Sequence, residues 1–213
     1  MLLEFNDFLK NYKDLQTIKI IPTEKLYFLR KPHWLASSFW KQISVLDILK
    51  TNQLDENFTK NQKIFWKEKE YWLLNRLDND TAWFLYFAKD FTTYETFKKL
   101  QKQNKIIKVY YAQVEWKPYN TKINYPIMHK NKSKMIAIKT PKDTKKWRWK
   151  LHYVETKITP IVNNRLQAEI TKWIRHQIRV HLWSINLPIK NDPLYWNKKD
   201  WNLQLYSVWI KNF

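Results

Sequence analysis

The chain of 213 residues contains no glycine, whereas average usage of roughly 7% would give about fifteen. Glycine is the usual residue where a tight turn needs a positive φ angle, so other residues must occupy such turns here. Tryptophan, which is rare in most proteins, occurs 13 times. The missing glycines and the surplus of tryptophans therefore call for a common explanation.

Cysteine is also absent, which excludes disulfides and thiolate metal sites and makes a reducing cytoplasm the expected location. No apolar run approaches the roughly 20 residues that a membrane-spanning helix needs. Residues 1–15 mix acids and lysines with apolar residues, so no signal peptide is predicted. The five histidines lack ligand-like spacing, and no glycine-rich phosphate loop is present. The histidine spacing therefore argues against a metal site.

The net charge of +20 and a pI of about 9.9 favour a polyanionic partner, with RNA or DNA as the first candidate. The alternative is that lysine, asparagine and isoleucine are abundant because the gene is rich in A and T. The arginines are more informative than the lysines, because Arg76, Arg175 and Arg179 lie within dense polar motifs. A guanidinium group is well suited to bind phosphate or carboxylate.

The pattern of apolar residues predicts an α+β fold with a mostly antiparallel sheet, because strands outnumber helices and do not alternate regularly with them. Strands are predicted at 25–30, 82–88, 106–115, 151–162, 164–171 and 203–210. Helices are predicted at 44–50, 92–103 and 175–185, after a short helical lead-in over 1–22. The lysine-rich segment 117–150 is expected to be a loop or a peripheral hairpin.

A short polar run, Asn75–Thr81, interrupts apolar sequence directly before the predicted strand 82–88. An acid at the start of a buried strand can be held in a cleft, although an isolated turn aspartate is more often a cap or an Asx-turn. Trp72 and Trp83 flank this run where a tight turn would favour small residues. The run is therefore a candidate active-site turn.

Two further stretches combine polar and aromatic residues. Tyr110 and Tyr111 are adjacent on a predicted strand and point to opposite faces, so one of them needs a polar partner or leaves the core. The helical segment 175–182 carries two arginines four residues apart, and Asp192–Tyr195 follows it. Taken singly, such a tyrosine is usually packing and such arginines are usually a solvated face.

Taken together and in order, the motifs R-L-D-x-x-T, K-x-Y-x-A-x-V, H-Q-I-R-x-H-L and D-P-L-Y resemble the RNA pseudouridine synthases of the RluA class. Lys31-Pro32 resembles the early K-P of that family. The chain departs from the family where Asn75 replaces a histidine and Ala82-Trp83 replaces Ser-Gly. The resemblance predicts a catalytic domain over 25–213 and leaves 1–24 as a lead-in too short for a separate RNA-binding domain.

The resemblance implies a mixed, mostly antiparallel sheet with flanking helices, a central RNA-binding cleft, and no metal or cofactor. Asp78 would be the catalytic aspartate that attacks the target uridine, either at the sugar C1′ or at the base. Tyr110 would stack on the uracil and assist deprotonation, and Arg179 would pair with Asp78 and keep it ionised. The residues expected to bind RNA are Arg76, Asn75, Thr81, Arg175, His176, Gln177 and Lys31.

This interpretation makes the protein a cytoplasmic isomerase, working as a monomer, that forms pseudouridine in ribosomal or transfer RNA. The main alternative is a non-catalytic RNA-binding relative whose pocket is blocked by Trp83 and Trp173. A weaker alternative is a basic structural protein associated with the ribosome.

Five tryptophans fall where the family has glycine: Trp34, Trp83, Trp116, Trp173 and Trp196. A gene in which UGA means glycine would produce this pattern when UGA is translated as tryptophan, provided that no ordinary glycine codon is used. The alternative is that the tryptophans are real platforms for stacking RNA bases. Because a bulky residue at positive φ is an outlier, the first hypothesis predicts some tryptophans with a glycine-like backbone.

Overall fold

The computed structural model describes residues 20–33, 35–37, 44–46, 72–140, 150–196 and 202–213. The chain divides into two compact units, Met1–Lys98 and Lys99–Phe213. In the described part of the chain, no helix is long and apolar enough to cross a membrane.

In the first unit, three antiparallel strands lie in the order β1 (Ile20–Pro22), β2 (Leu26–Lys31) and β3 (Ala82–Ala88). Every residue of β3 is buried, as its continuous apolar sequence predicts. Lys31 lies opposite Trp83 in the β2–β3 pair. The segment that follows β2 therefore begins close to the point where the turn that precedes β3 ends.

The described elements of the second unit are β4 (Ile107–Gln113), β5 (Thr121–Ile123), β6 (Ile127–His129), β7 (Met135–Ala137), β8 (Thr156–Pro160), β9 (Arg165–Ile170), α2 (Gln177–Ser184) and β10 (Leu205–Lys211). Five of the strands form an antiparallel arrangement in the order β10-β4-β9-β8-β5. Strands β6 and β7 form a separate hairpin.

Helix α1 (Phe91–Lys102) is capped by Asp90, whose carboxylate accepts a 2.7 Å hydrogen bond from the backbone N–H of Thr93. Asn104 ends the helix at φ 56°, and the N–H of Lys105 donates to Leu100 O, as in a Schellman motif. The same arrangement ends α2 at Asn186. Asparagine thus takes the position that glycine usually holds after a helix.

Nine described residues have positive φ, and six of them are asparagines. The asparagines are Asn104, Asn163, Asn164, Asn186, Asn191 and Asn212. The others are His176, Trp72 (φ 54°) and Trp83 (φ 78°). The expected glycine-like tryptophans are therefore found at the two positions that flank the polar run. Trp116, Trp173 and Trp196 are not among the positive-φ residues, and Trp34 lies outside the described residues.

The predicted α+β fold with a mostly antiparallel sheet is confirmed. Three predicted elements differ from the structure: strand 151–162 is shortened to β8, and residues 20–22 form β1 instead of the end of a helical lead-in. The segment 117–150 contains the β6–β7 hairpin, in line with the expected hairpin, but its residues 121–123 form β5, which pairs with β8. The remainder of that lead-in and most of the predicted helix 44–50 lie outside the described residues. The domain boundary between residues 24 and 25 stays a prediction.

Candidate active site

The polar run forms a β-turn directly before β3. The N–H of Thr81 donates to Asp78 O at 3.0 Å, so Asp78 is the first residue of the turn. The Asp78 side chain is half-buried, whereas Arg76 is exposed. The Asp78 carboxylate thus lies at the first residue of a turn that leads into a buried strand, and it stays partly exposed.

Lys31 binds the turn through a buried ammonium group. Its Nζ donates to Pro32 O at 2.9 Å, Leu35 O at 2.7 Å and Asn79 O at 2.9 Å, and the residue is 0% exposed. Burial lowers the pKa of Lys31 to about 7, although the carboxylates of Asp78 and Asp80 act to raise it. Three N–H groups and three carbonyl acceptors match the geometry of a protonated amine.

Two further side chains contact the same turn. His33 Nδ1 donates to Asp80 O at 2.8 Å. Ser37 Oγ donates to Leu77 O at 3.0 Å and accepts from Leu77 N at 3.0 Å. Burial lowers the pKa of His33, which favours a neutral ring. Sequence analysis assigned no role to His33 or Ser37, although His33 follows the K-P motif that it used.

Asn75, which stands where the family has histidine, is buried and is bound to the backbone of β3. Its Nδ2 donates to Phe84 O at 3.2 Å, and its Oδ1 accepts from Tyr86 N at 2.7 Å. An asparagine can supply one donor and one acceptor to a peptide backbone at the same time. The side chain thus joins the start of the polar run to the strand that follows it.

In the second unit, Tyr110 lies in the middle of β4, between Ala168 of β9 and Ser207 of β10. Tyr110 and Tyr111 are both buried, at 3% and 4% exposure. Burial raises the pKa of Tyr111, so its phenol stays protonated at neutral pH.

Arg179, on helix α2, binds Asp192 through two parallel contacts. Its Nη2 lies 2.7 Å from Oδ1 and its Nε lies 3.0 Å from Oδ2. Asp192 also accepts from the N–H groups of Leu194 and Tyr195, so the D-P-L-Y segment forms a turn around this carboxylate. The D-P-L-Y motif contains Asp192, but the residue types alone gave this carboxylate no role. The expected pairing of Arg179 with Asp78 stays a prediction.

Tyr195 connects α2 to the β6–β7 hairpin. Its hydroxyl accepts from Met135 N at 2.9 Å and donates to Met135 O at 3.2 Å. His176 Nδ1 lies 3.2 Å from the same hydroxyl. The ammonium of Lys134 lies 4.9 Å from the centre of the Tyr195 ring and 5.4 Å from that of Trp183, within cation–π distance. The lysine-rich hairpin is therefore anchored next to its turn, at Lys134 and Met135.

Most of the residues expected to bind RNA are buried. Gln177 donates to Glu155 O and Thr156 Oγ1 and accepts from Ile174 N. The buried members of the set are Lys31, Asn75, Thr81, His176 and Gln177, whereas Arg76 and Arg175 are exposed. Direct RNA contact by each of the seven stays a prediction, and burial favours a structural role for five of them.

No group of three or more histidine, aspartate or glutamate side chains that could hold a metal ion occurs within the described ranges.

Comparison with known families matches residues 25–184 to the family described as RNA pseudouridylate synthase. The chain belongs to this family. The match contains the polar run, the Tyr110 strand and helix α2, which are the elements described above.

Three relatives carry names of the same family. Over 125 residues, the chain is 34% identical to ribosomal large subunit pseudouridine synthase D of Buchnera aphidicola. This match covers 58% of this chain and 38% of the relative. Uncharacterized RNA pseudouridine synthases of Mycoplasma genitalium (32%) and Helicobacter pylori (35%) match over 136 residues. These two matches cover 61% of this chain and 42% and 53% of the relatives. The matched segment thus spans about two fifths to one half of each relative.

Two solved human proteins share the fold. RNA pseudouridylate synthase domain containing 1 superposes with a TM-score of 0.64 at 13% identity and covers 92% of this chain and 79% of that one. RNA pseudouridylate synthase domain containing 4 superposes with a TM-score of 0.60 at 18% identity, and the match covers 98% of this chain and 88% of that one. At these identities the likeness concerns the fold alone.

Proposed function

We propose that the protein is an RNA pseudouridine synthase in which Asp78 is the catalytic group. The observation that carries the proposal is the position of Asp78, which is half-buried at the first residue of a β-turn. Side-chain hydrogen bonds hold this turn, and it leads into a buried strand. The family match supports the chemistry, because that family converts uridine to pseudouridine. The substrate is a structured RNA, either ribosomal or transfer RNA, and the net charge of +20 suits such a partner.

The reaction is an isomerisation with no net loss of atoms. The bond between N1 of uracil and C1′ of ribose breaks, the uracil turns, and C5 bonds to C1′. The proton leaves C5, and N1 gains one. Asp78 provides the nucleophile, whether it attacks C1′ or the base. Tyr110 stacks on the uracil and assists removal of the C5 proton, and Arg179 keeps Asp78 ionised.

The target base must leave its stack before it can reach Asp78, as in other enzymes that modify a base. Arg76 is exposed two residues before Asp78, and it fills the gap that the flipped nucleotide leaves. Arg175 is exposed just before the N-cap of α2 and binds phosphate. The finer class is that of the RluA enzymes, on the strength of the four ordered motifs, and the protein acts as a cytoplasmic monomer.

Replacing Asp78 with Asn tests the proposal, because it removes the nucleophile and changes the side-chain volume little. Unmodified ribosomal and transfer RNA transcripts serve as substrates, and pseudouridine formation and RNA binding are measured separately. Asp78→Asn should abolish product formation with RNA affinity nearly unchanged. Asp80→Asn is the matched control in the same turn and should retain product formation.

Activity that survives Asp78→Asn would reject the catalytic role of this residue. A wild-type protein that binds RNA but forms no pseudouridine would support the alternative of a non-catalytic relative. A loss of binding equal to the loss of product would show that Asp78 acts in binding only.

We also propose that the 13 tryptophan positions carry glycine in the cell. The positive φ angles of Trp72 and Trp83, and the absence of glycine from the sequence, support this proposal. The intact mass of the protein from its native source distinguishes the two residues. A mass lower by 13 Trp→Gly differences would support glycine, and the mass of the printed sequence would reject it.

A further inference from the structure

The peptide groups around Asp78 are held in place one after another. Ser37 Oγ binds the oxygen of the peptide between Leu77 and Asp78. The N–H of Thr81 binds the next one, at Asp78 O. Lys31 binds the one after, at Asn79 O, and His33 binds the fourth, at Asp80 O. Four consecutive peptide groups thus have a defined orientation.

The peptide planes on either side of a residue determine its φ and ψ angles, and these set the direction of the Cα–Cβ bond. For Asp78, the preceding plane is fixed by Ser37 and the following plane by the turn itself. Ser37 also accepts from Leu77 N, so its single hydroxyl orients both peptide groups of Leu77. The direction of the Asp78 Cα–Cβ bond, from which the carboxylate extends, is therefore set in part by Ser37, whose printed contacts are to the backbone of Leu77.

Ser37 and His33 are each 4% exposed, so neither is placed to contact RNA in this structure. Their hydrogen bonds join segments 40 and 47 residues apart in the sequence. Buried hydrogen bonds of this kind are costly to leave unmade and hold a single conformation.

We propose that Ser37 and His33 are positioning residues that fix the catalytic turn and thereby aim the Asp78 carboxylate at the target uridine. The proposal rests on the proposed function, since it gives these residues a role in the reaction of Asp78. The predicted signature is a slower chemical step with unchanged RNA affinity, because the turn and not the binding surface is disturbed.

The test compares four variants in the tryptophan or glycine background that the intact mass assigns. Ser37→Ala and His33→Ala remove the hydrogen bonds, and His33→Asn retains a donor at the position of Nδ1. Phe97→Leu, a buried change on helix α1 that leaves the turn alone, is the control for lowered stability. The single-turnover rate at saturating enzyme, the Kd for RNA and the Tm are measured for each.

We expect Ser37→Ala and His33→Ala to slow single turnover about 10- to 100-fold with Kd within about twofold of the wild type. His33→Asn should restore most of the rate, and Phe97→Leu should lower Tm without slowing turnover. The proposal is overturned if His33→Asn is as slow as His33→Ala, or if the rates of all variants follow their Tm values. Should His33→Ala fail to fold, a folded His33→Asn slower than one tenth of the wild type rejects it. A wild-type protein without activity, or an Asp78→Asn variant that stays active, would instead reject the proposed function, so the two failures are distinguishable.

Discussion

The guanidinium of Arg179 and the carboxylate of Asp192 form an ion pair in which both side chains are about 1% exposed. The two parallel contacts match the fork of arginine to a carboxylate, which a lysine could not reproduce. If Arg179 also pairs with Asp78, as we propose, Asp192 fixes the orientation in which it does so.

Replacing Asp192 with Asn should lower the free energy of unfolding by about 3 to 5 kcal/mol, because it leaves a buried arginine without its carboxylate partner. Urea denaturation measures this loss. The matched control is Glu155→Gln, which breaks the exposed 3.9 Å pair with Lys122 and should cost less than about 1 kcal/mol. Equal losses of unfolding free energy in the two variants would show that the buried Arg179–Asp192 pair contributes no more to stability than the exposed pair.

Stability should rise with pH between about 7 and 10.5 because of Lys31. Its pKa is lowered from 10.5 to about 7 in the folded protein, so in this range the unfolded chain binds more protons than the folded one. The penalty for the buried ammonium is complete below the folded pKa and fades as the pH rises. Urea denaturation of the wild type and of Lys31→Met at several pH values isolates this contribution. Parallel curves for the two proteins would contradict the lowered pKa.

His181 should make the protein less stable in weak acid. It is buried, its Nε2 donates to Tyr125 O and its Nδ1 accepts from Thr156, so the neutral ring satisfies both contacts. Burial lowers the pKa of His181 from 6.5 to about 4. The stability that it contributes is present above the unfolded pKa of 6.5 and declines as the pH falls toward 4.

Between pH 7 and pH 5 this decline should amount to about 2 kcal/mol, at 1.36 kcal/mol per pKa unit. His181→Gln retains the donor to Tyr125 O but does not titrate in this range, so its stability should depend less on pH. If the wild type and His181→Gln lose the same stability over this interval, the decline has another source.

Trp83 distinguishes the two explanations of the missing glycines. It is 1% exposed and has φ 78°. If the fold evolved with glycine here, Trp83→Gly should stabilise the protein by about 1 to 3 kcal/mol through relief of a strained backbone. If the tryptophan is native, the same change should leave a large cavity and cost about 3 to 5 kcal/mol. Trp209→Gly, at a 44% exposed strand position, is the control without positive φ.

The two exposed arginines of the RNA-binding set should account for phosphate contacts that the buried members cannot make. Arg76→Ala and Arg175→Ala should each reduce the slope of log Kobs against log salt concentration by about 1. Lys105→Ala, an exposed cation outside the motifs, should change the slope less. Unchanged slopes for both arginine variants would mean that other cations make the contacts to the RNA phosphates.

Sequence alone predicted the strands and helices that have strong apolar patterns, such as β3, β4 and α1. It also found the polar run, because polar residues interrupt apolar sequence there directly before a predicted strand. It could not show that Asn75 and Gln177 turn inward to bind backbone groups, since polar residue types do not reveal the direction of a side chain. Ser37 was missed for a related reason: its partner, Leu77, is 40 residues away.

In the described part of the chain, six asparagines have positive φ. Asparagine and lysine codons differ by one nucleotide, and lysine is among the commonest residues here. A lysine at φ near 60° lacks the short amide that makes the left-handed conformation accessible. Mutational drift between these codons, harmless on most of the surface, is thus expected to be selected against at these six positions.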